Sequence, residues 1–123
     1  MNGNELVLDT NIILYLLNGD KTLADILEGK KAFVSFITEL ELLGFKELSD
    51  YQESEIKNLL TDCSIINLDE QIKSKTIYIR KNYNLKLPDS IIAASALNLN
   101  LPLFSADRDF EKIEDLNFLI YEK

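Results

Sequence analysis

Five short apolar runs, each separated from the next by a stretch of helical period, constrain this chain more than any other feature. The runs at Glu5 to Leu8, Ala32 to Phe36, Ser64 to Asn67, Leu103 to Ser105 and Phe118 to Tyr121 predict strands. Helices between successive strands favour a mostly parallel sheet covered on both faces, because parallel neighbours must be joined by a crossover. Such sheets gather ligands beyond the carboxyl ends of their strands. No Pro/Gly/Ser linker, repeat or low-complexity tract divides the chain, so residues 1–123 read as a single α/β domain. Its 46% hydrophobic content is ample for one continuous core.

The first run poses a chemical question. In "ELVLDTNIILYLL" an aspartate, a threonine and an asparagine interrupt an otherwise unbroken apolar stretch, and Asp9 falls just past the predicted strand. As an isolated residue Asp9 is best read as the N-cap of a helix beginning near Asn11, since a carboxylate there accepts orphan backbone N–H groups. Glu41 is harder to account for. In "ITELELLGFKEL" the residues Ile37, Leu40, Gly44, Phe45 and Leu48 form a stripe at helical spacing, Glu41 falls inside it, and Glu39 points the opposite way. A glutamate on a core face needs a cation or a cleft.

Two further segments carry acids in comparable places. In "LPDSIIAASALNL" Pro88 suits the first helical position, which puts Asp89 in the first turn, on the face of Ile92, Ala93 and Ala96. Favourable placement near the helix dipole explains it equally well. The segment "LFSADRDF" sets Asp107 and Asp109 after a predicted strand, and an ordinary turn rich in capping residues accounts for that pair.

Composition limits the chemistry open to these groups. The chain has no histidine, which removes the usual zinc ligand, the usual general base and any Ser-His or Cys-His nucleophile pair. Thirteen basic against 21 acidic residues leave a formal net charge of -8, a field that repels nucleic acid at long range. The single cysteine, Cys63, offers no disulfide framework and suits a reducing compartment. No apolar stretch approaches the roughly 20 residues a membrane span needs, and "MNGNE" lacks the marks of an export signal. The expectation is a cytoplasmic protein with no membrane partner.

Taken together the acids suggest convergence at one edge of the sheet. Two unit charges 4 Å apart repel by about 4 kcal/mol at an effective dielectric of 20, and a divalent cation between them reverses the sign. Oxygen-only ligands select hard ions, Mg²⁺ or Mn²⁺, which acidify water and stabilise the leaving oxygen of a phosphodiester.

At these same residues the sequence resembles the PIN domains, and among them the small toxins of VapBC-type toxin-antitoxin systems. The resemblance rests on "LDTN" with Asp9, "VSFITELEL" with Ser35, Thr38 and Glu41 in S-x-x-T-x-x-E spacing, "LKLPDSIIAASAL" with Asp89, and "LFSADRDF" with Asp107. It spans the whole chain. It implies a three-layer α/β/α sandwich around a mostly parallel sheet of about five strands, and a Mg²⁺- or Mn²⁺-dependent endoribonuclease. It also implies Asp9, Glu41, Asp89 and Asp107 as catalytic metal-binding acids, supported by Asn11, Ser35, Thr38 and Ser105. The expected partners are an RNA substrate, a cognate antitoxin laid across the toxin, and a second copy of the chain. Phe45, Leu48 and Leu59 are candidates for the antitoxin groove.

The sequence departs from the family at two places. Ser105 stands where many relatives carry threonine, and Asp109 competes with Asp107 for the fourth acid. The basic residues Lys73, Lys75, Arg80, Lys81 and Lys86 fall in one short segment, which a solvated helix face explains as well as an RNA tract does. Two alternatives stay open, a PIN nuclease of RNA processing or decay without an antitoxin and a non-catalytic Mg²⁺-binding receiver-like domain, and a third, an aspartyl phosphatase, falls behind them. The phosphatase is disfavoured because Asn11 stands where a second aspartate would act as general acid.

Overall fold

Residues 3–123 are described by a computed structural model. In chain order the elements are β1 (Glu5–Leu8), α1 (Thr10–Leu17), α2 (Lys21–Leu27), β2 (Lys31–Ser35), α3 (Phe36–Leu43), α4 (Asp50–Thr61), β3 (Ser64–Ile66), α5 (Glu70–Asn82), α6 (Leu87–Leu99), β4 (Leu103–Ser105) and β5 (Phe118–Ile120). A short 3-10 turn, Arg108–Lys112, joins the last two strands. The strands lie in the order β3-β2-β1-β4-β5 and every neighbouring pair is parallel. Predicted strand ends agree with the observed ones to within one residue.

The side-chain period of two divides the core into two layers. Leu6 and Leu8 of β1 pack on one face with Ile12, Ile13, Leu23, Ile56 and Leu60 from α1, α2 and α4. Val7 points the other way, joining Ile72, Ile79, Ile92, Ala93 and Ala96 of α5 and α6. Val34 against Phe33 and Phe104 against Leu103 repeat the division on β2 and β4. The result is a helix-sheet-helix sandwich, and the alanines of α6, fully buried, let that helix lie close beneath the sheet.

Strand order determines where a crevice opens. From β1 the chain moves outward to β2 and β3, then returns through α5 and α6 to place β4 on the opposite side of β1. Connections leaving β1 and β4 therefore diverge, and the gap beyond their carboxyl ends is the switch point where open α/β sheets take ligands. Asp9 directly follows β1, and Ser105 ends β4 two residues before Asp107.

Two local expectations are corrected. Helix α6 begins at Leu87, so Pro88 occupies its second position rather than its first, and Asp89 remains in the first turn. The apolar stripe around Glu41 is not a core face: Leu40 is 58% exposed and Phe45 63%, Glu41 is exposed, and Glu39 is the more covered of the two glutamates. The physical reason is that α3 stops at Leu43, with the Gly44 N–H bonded to the Leu40 carbonyl, so positions 44, 45 and 48 do not continue its period. The closure is tight, since a Cβ at Gly44 would lie 2.6 Å from the Leu40 carbonyl oxygen. Helix α3 buries Thr38 and Leu42 instead.

Candidate active site

Asp9 sits 5% exposed at the base of the switch-point crevice. One carboxylate oxygen, Oδ1, accepts the Thr10 N–H at 2.8 Å and caps α1; the other, Oδ2, accepts the Ser105 hydroxyl at 2.6 Å. The capping and convergence readings of Asp9 therefore describe one geometry. Ser105 is the hub of this side. Its single proton goes to Asp9, while its oxygen accepts the Asp107 N–H at 3.0 Å and the Asn11 side-chain amide at 3.4 Å, which exhausts its bonding capacity. Asn11 accepts the Ala106 N–H at 3.3 Å and so ties α1 to the exit of β4.

Glu41 reaches the crevice from α3. Its Oε1 accepts the Thr10 hydroxyl at 2.9 Å, and that hydroxyl lies 2.9 Å from the hydroxyl of Thr38, which is fully buried. Ser35, also fully buried, caps α3 by accepting the Ile37 N–H at 3.2 Å. Its visible role is structural.

Asp89 and Asp107 complete the group. Burial pushes the Asp89 carboxyl up to about 6, the charges of Asp9 and Asp107 add to that, Lys86 opposes it, and Glu41 adds again. Asp9 is likewise held above its ordinary value, first by burial, against the bonds from Ser105 and Thr10, with Asp107 and Glu41 contributing repulsion. Four carboxylates thus share one electrostatic environment. Asp109 does not belong to it: exposed, it faces Lys112 at 3.9 Å, whereas Asp107 caps the 3-10 turn beside Ser105.

The donor set fits a hard divalent cation. Every donor is an oxygen, two of the carboxyls are disfavoured as anions by burial and by one another, and among the described residues none of the four forms an ion pair. The described residues also contain no three acids close enough to enclose an ion by themselves. Mg²⁺ keeps several waters and takes only one or two carboxylates directly.

A groove of about 670 Å³ runs from this crevice between α1, α3 and α4. Thr10 and Glu41 lie at one end, and Leu14, Phe45, Leu48 and Tyr51 line its length. Leu59 packs into the sheet's core layer instead, so of the three apolar candidates for a groove only Phe45 and Leu48 belong to it. The basic run is largely engaged locally. Lys73 pairs with Glu70, Lys75 bonds Asn98 and Arg80 donates to the Leu85 carbonyl, as a solvated helix face would. The sequence offered no role for Thr10, although it adjoins Asp9, and read Lys86 only as part of the basic run, whereas its charge acts on Asp89.

Residues 6–116 match the family described as PIN domain. Among solved structures the chain is similar to one in a toxin-antitoxin complex from Klebsiella pneumoniae, at 32% identity and a TM-score of 0.82, over 96% of this chain and 99% of that one. It is also similar to a chain of VapBC-1 from nontypeable Haemophilus influenzae, at 26% identity and a TM-score of 0.75, over 94% and 97% of the two chains. A third likeness, to a chain of VapBC2 from Rickettsia felis bound to a DNA fragment from their promoter, has 21% identity, a TM-score of 0.84 and coverage of 96% and 99%, and is one of fold. No curated protein matches the chain.

Proposed function

The chain belongs to the PIN domain family, a family of nucleases, and from that premise we propose that it is a divalent-metal-dependent endoribonuclease, the toxin of a toxin-antitoxin pair. The observation that supports the reading most is the electrostatic coupling of Asp9 and Asp89 to one another and to Glu41 and Asp107 near the β1/β4 switch point, with none of the four in a salt bridge among the described residues. Mg²⁺ or Mn²⁺ held there would acidify water and neutralise charge developing on the phosphodiester. Asp9, fixed by Ser105 and the α1 backbone, is the anchor of the set; Asp107 is tied to the same Ser105, Asp89 couples to both through its charge, and Glu41 is tied in through the Thr10 hydroxyl.

An antitoxin is part of the same reading. The Klebsiella pneumoniae relative was solved as a toxin-antitoxin complex, and the groove beside Glu41 presents exposed Leu14, Phe45 and Tyr51 to a partner helix or strand. A basic side chain from such a segment would reach carboxylates that lack a cation. A homodimer is expected from the resemblance, and sedimentation of the isolated chain tests it.

The deciding experiment combines single-stranded RNA, the purified chain, and Mg²⁺ or Mn²⁺ with and without chelator. Cleavage that needs the metal, and that stops when the product of the adjacent small reading frame is added, supports the proposal. Cleavage that survives chelation overturns the metal dependence. Metal-dependent cleavage indifferent to the neighbouring product moves the chain to RNA processing.

A further inference from the structure

Glu41 is exposed, and among the described residues its carboxylate has one hydrogen bond, from the Thr10 hydroxyl at 2.9 Å. An ionised carboxylate only accepts, so the single proton of Thr10 is committed to Glu41. The contact between Thr10 and Thr38, 2.9 Å oxygen to oxygen, then has only one available donor, Thr38. The three residues form a directed chain in which Thr38 donates to Thr10 and Thr10 donates to Glu41. Its inner end is sealed from water, because Thr38 is fully buried.

Thr10 is itself held. It is the first residue of α1, its N–H is bonded to Asp9 at 2.8 Å, and its β-branched side chain has little freedom at χ1. Two acids are therefore registered by one residue, Asp9 through the backbone N–H and Glu41 through the hydroxyl. We propose that Thr10 is the positioning residue for Glu41, oriented from below by Thr38, and that it fixes the geometry in which Glu41 joins Asp9 in holding a divalent cation. This rests on the metal-site reading above. Without the bond an exposed glutamate samples many rotamers, and apparent metal affinity falls by the fraction of time it spends in the competent one.

The test is Mn²⁺ titration of the whole chain, followed by calorimetry. Thr10→Val keeps the branched shape and removes donor and acceptor together; it should weaken Mn²⁺ binding by about tenfold, the scale for losing a group that orients a metal ligand. Thr10→Ser, which keeps the hydroxyl, should restore affinity to within about twofold. Thr38→Val leaves the bond to Glu41 in place and should have the smaller effect. Placed in a Glu41→Ala background, Thr10→Val should change nothing further, because its influence passes through Glu41. Thr10→Ala provides the same comparison if the valine variant does not fold.

Wild-type affinity in Thr10→Val or Thr10→Ala overturns the role of Thr10, as does an equal loss with and without Glu41. A wild-type chain that binds no Mn²⁺ overturns the metal-site reading and this inference with it, so the two failures are distinguishable.

Discussion

The two sides of the crevice are built by different means. On the Asp9 side, the carboxylate is buried at the junction of two parallel strands, and Ser105, Asn11 and the backbone of Thr10, Ala106 and Asp107 bind one another in a saturated network. On the other side Glu41, exposed on a helix of eight residues, is tied by one hydroxyl and bordered by an open apolar groove. A junction of strands is covered by the core and cannot shift without disturbing the sheet, whereas a short helix at the sheet's rim can. Precision resides on the strand side, and access resides on the helix side. A partner lying in the groove would meet Glu41 without touching the Ser105 network.

The largest expected effect falls on the rigid side. Asp9→Asn should lower RNA cleavage by at least about 10²- to 10³-fold, the loss typical of removing a principal electrostatic group from an active site. Stability should not follow activity. The raised pKa of Asp9 means that its charged form is disfavoured in the fold, so the metal-free thermal midpoint near neutral pH should hold or rise. A clear fall in that midpoint would give the capping bonds greater weight than burial and repulsion.

Ser105→Ala tests the network rather than the charge. It removes the donor to Asp9 and strands the Asp107 N–H and the Asn11 amide, so unfolding by urea should show a loss of about 1–3 kcal/mol. Ser105→Thr retains the hydroxyl that the network uses. If alanine costs nothing, the Asp9 side is no more tightly held than the Glu41 side, and the contrast between them fails.

These two sides also differ in how far they can be read from sequence. The strand side is legible because strand ends are marked by the end of an apolar run, and Asp9 and Asp107 follow such ends directly. Asp89 is legible through the first turn of a helix whose alanines must pack. The surroundings of Glu41 are not, because an apolar count running past Leu43 assumed a helix that Gly44 ends. A stripe of Leu40 and Phe45 looks the same in sequence whether it covers a core or borders a groove. The fate of Leu59 could not be separated from that of Phe45 for the same reason. Thr10 carried no signal of its own, since its bond to Glu41 joins positions 31 residues apart.

A third prediction concerns pH. The folded pKa of Asp89 is about 6 against an ordinary 3.8, so its contribution to stability is complete below 3.8 and is lost as pH rises through 6. The metal-free thermal midpoint should therefore decline from about pH 4 to about pH 6 and level off above that, and Asp89→Asn should flatten the decline. Adding Mn²⁺ near pH 7 should recover the lost stability, because a bound cation favours the charged forms. An identical pH profile in the Asn variant would remove Asp89 from the coupled group and leave a smaller, three-acid site.

The smallest effect on the isolated chain is expected at the groove. Phe45 is 63% exposed and carries no hydrogen bond to the acids, so Phe45→Ala should alter stability by no more than about 0.5 kcal/mol. Leu59→Ala is the control, since Leu59 packs against the core layer and its truncation should cost measurably more. If the groove is where a protein partner docks, the order reverses on binding. An aromatic anchor at the centre of an interface typically accounts for 2 kcal/mol or more, roughly a thirtyfold loss of affinity, whereas Leu59 contributes only through the fold. Titration of each variant with the product of the adjacent reading frame, alongside urea unfolding, reads both quantities. Equal loss of affinity in the two variants would mean that the partner senses the stability of the domain rather than the groove, and the accessible side of the crevice would then have no docking role.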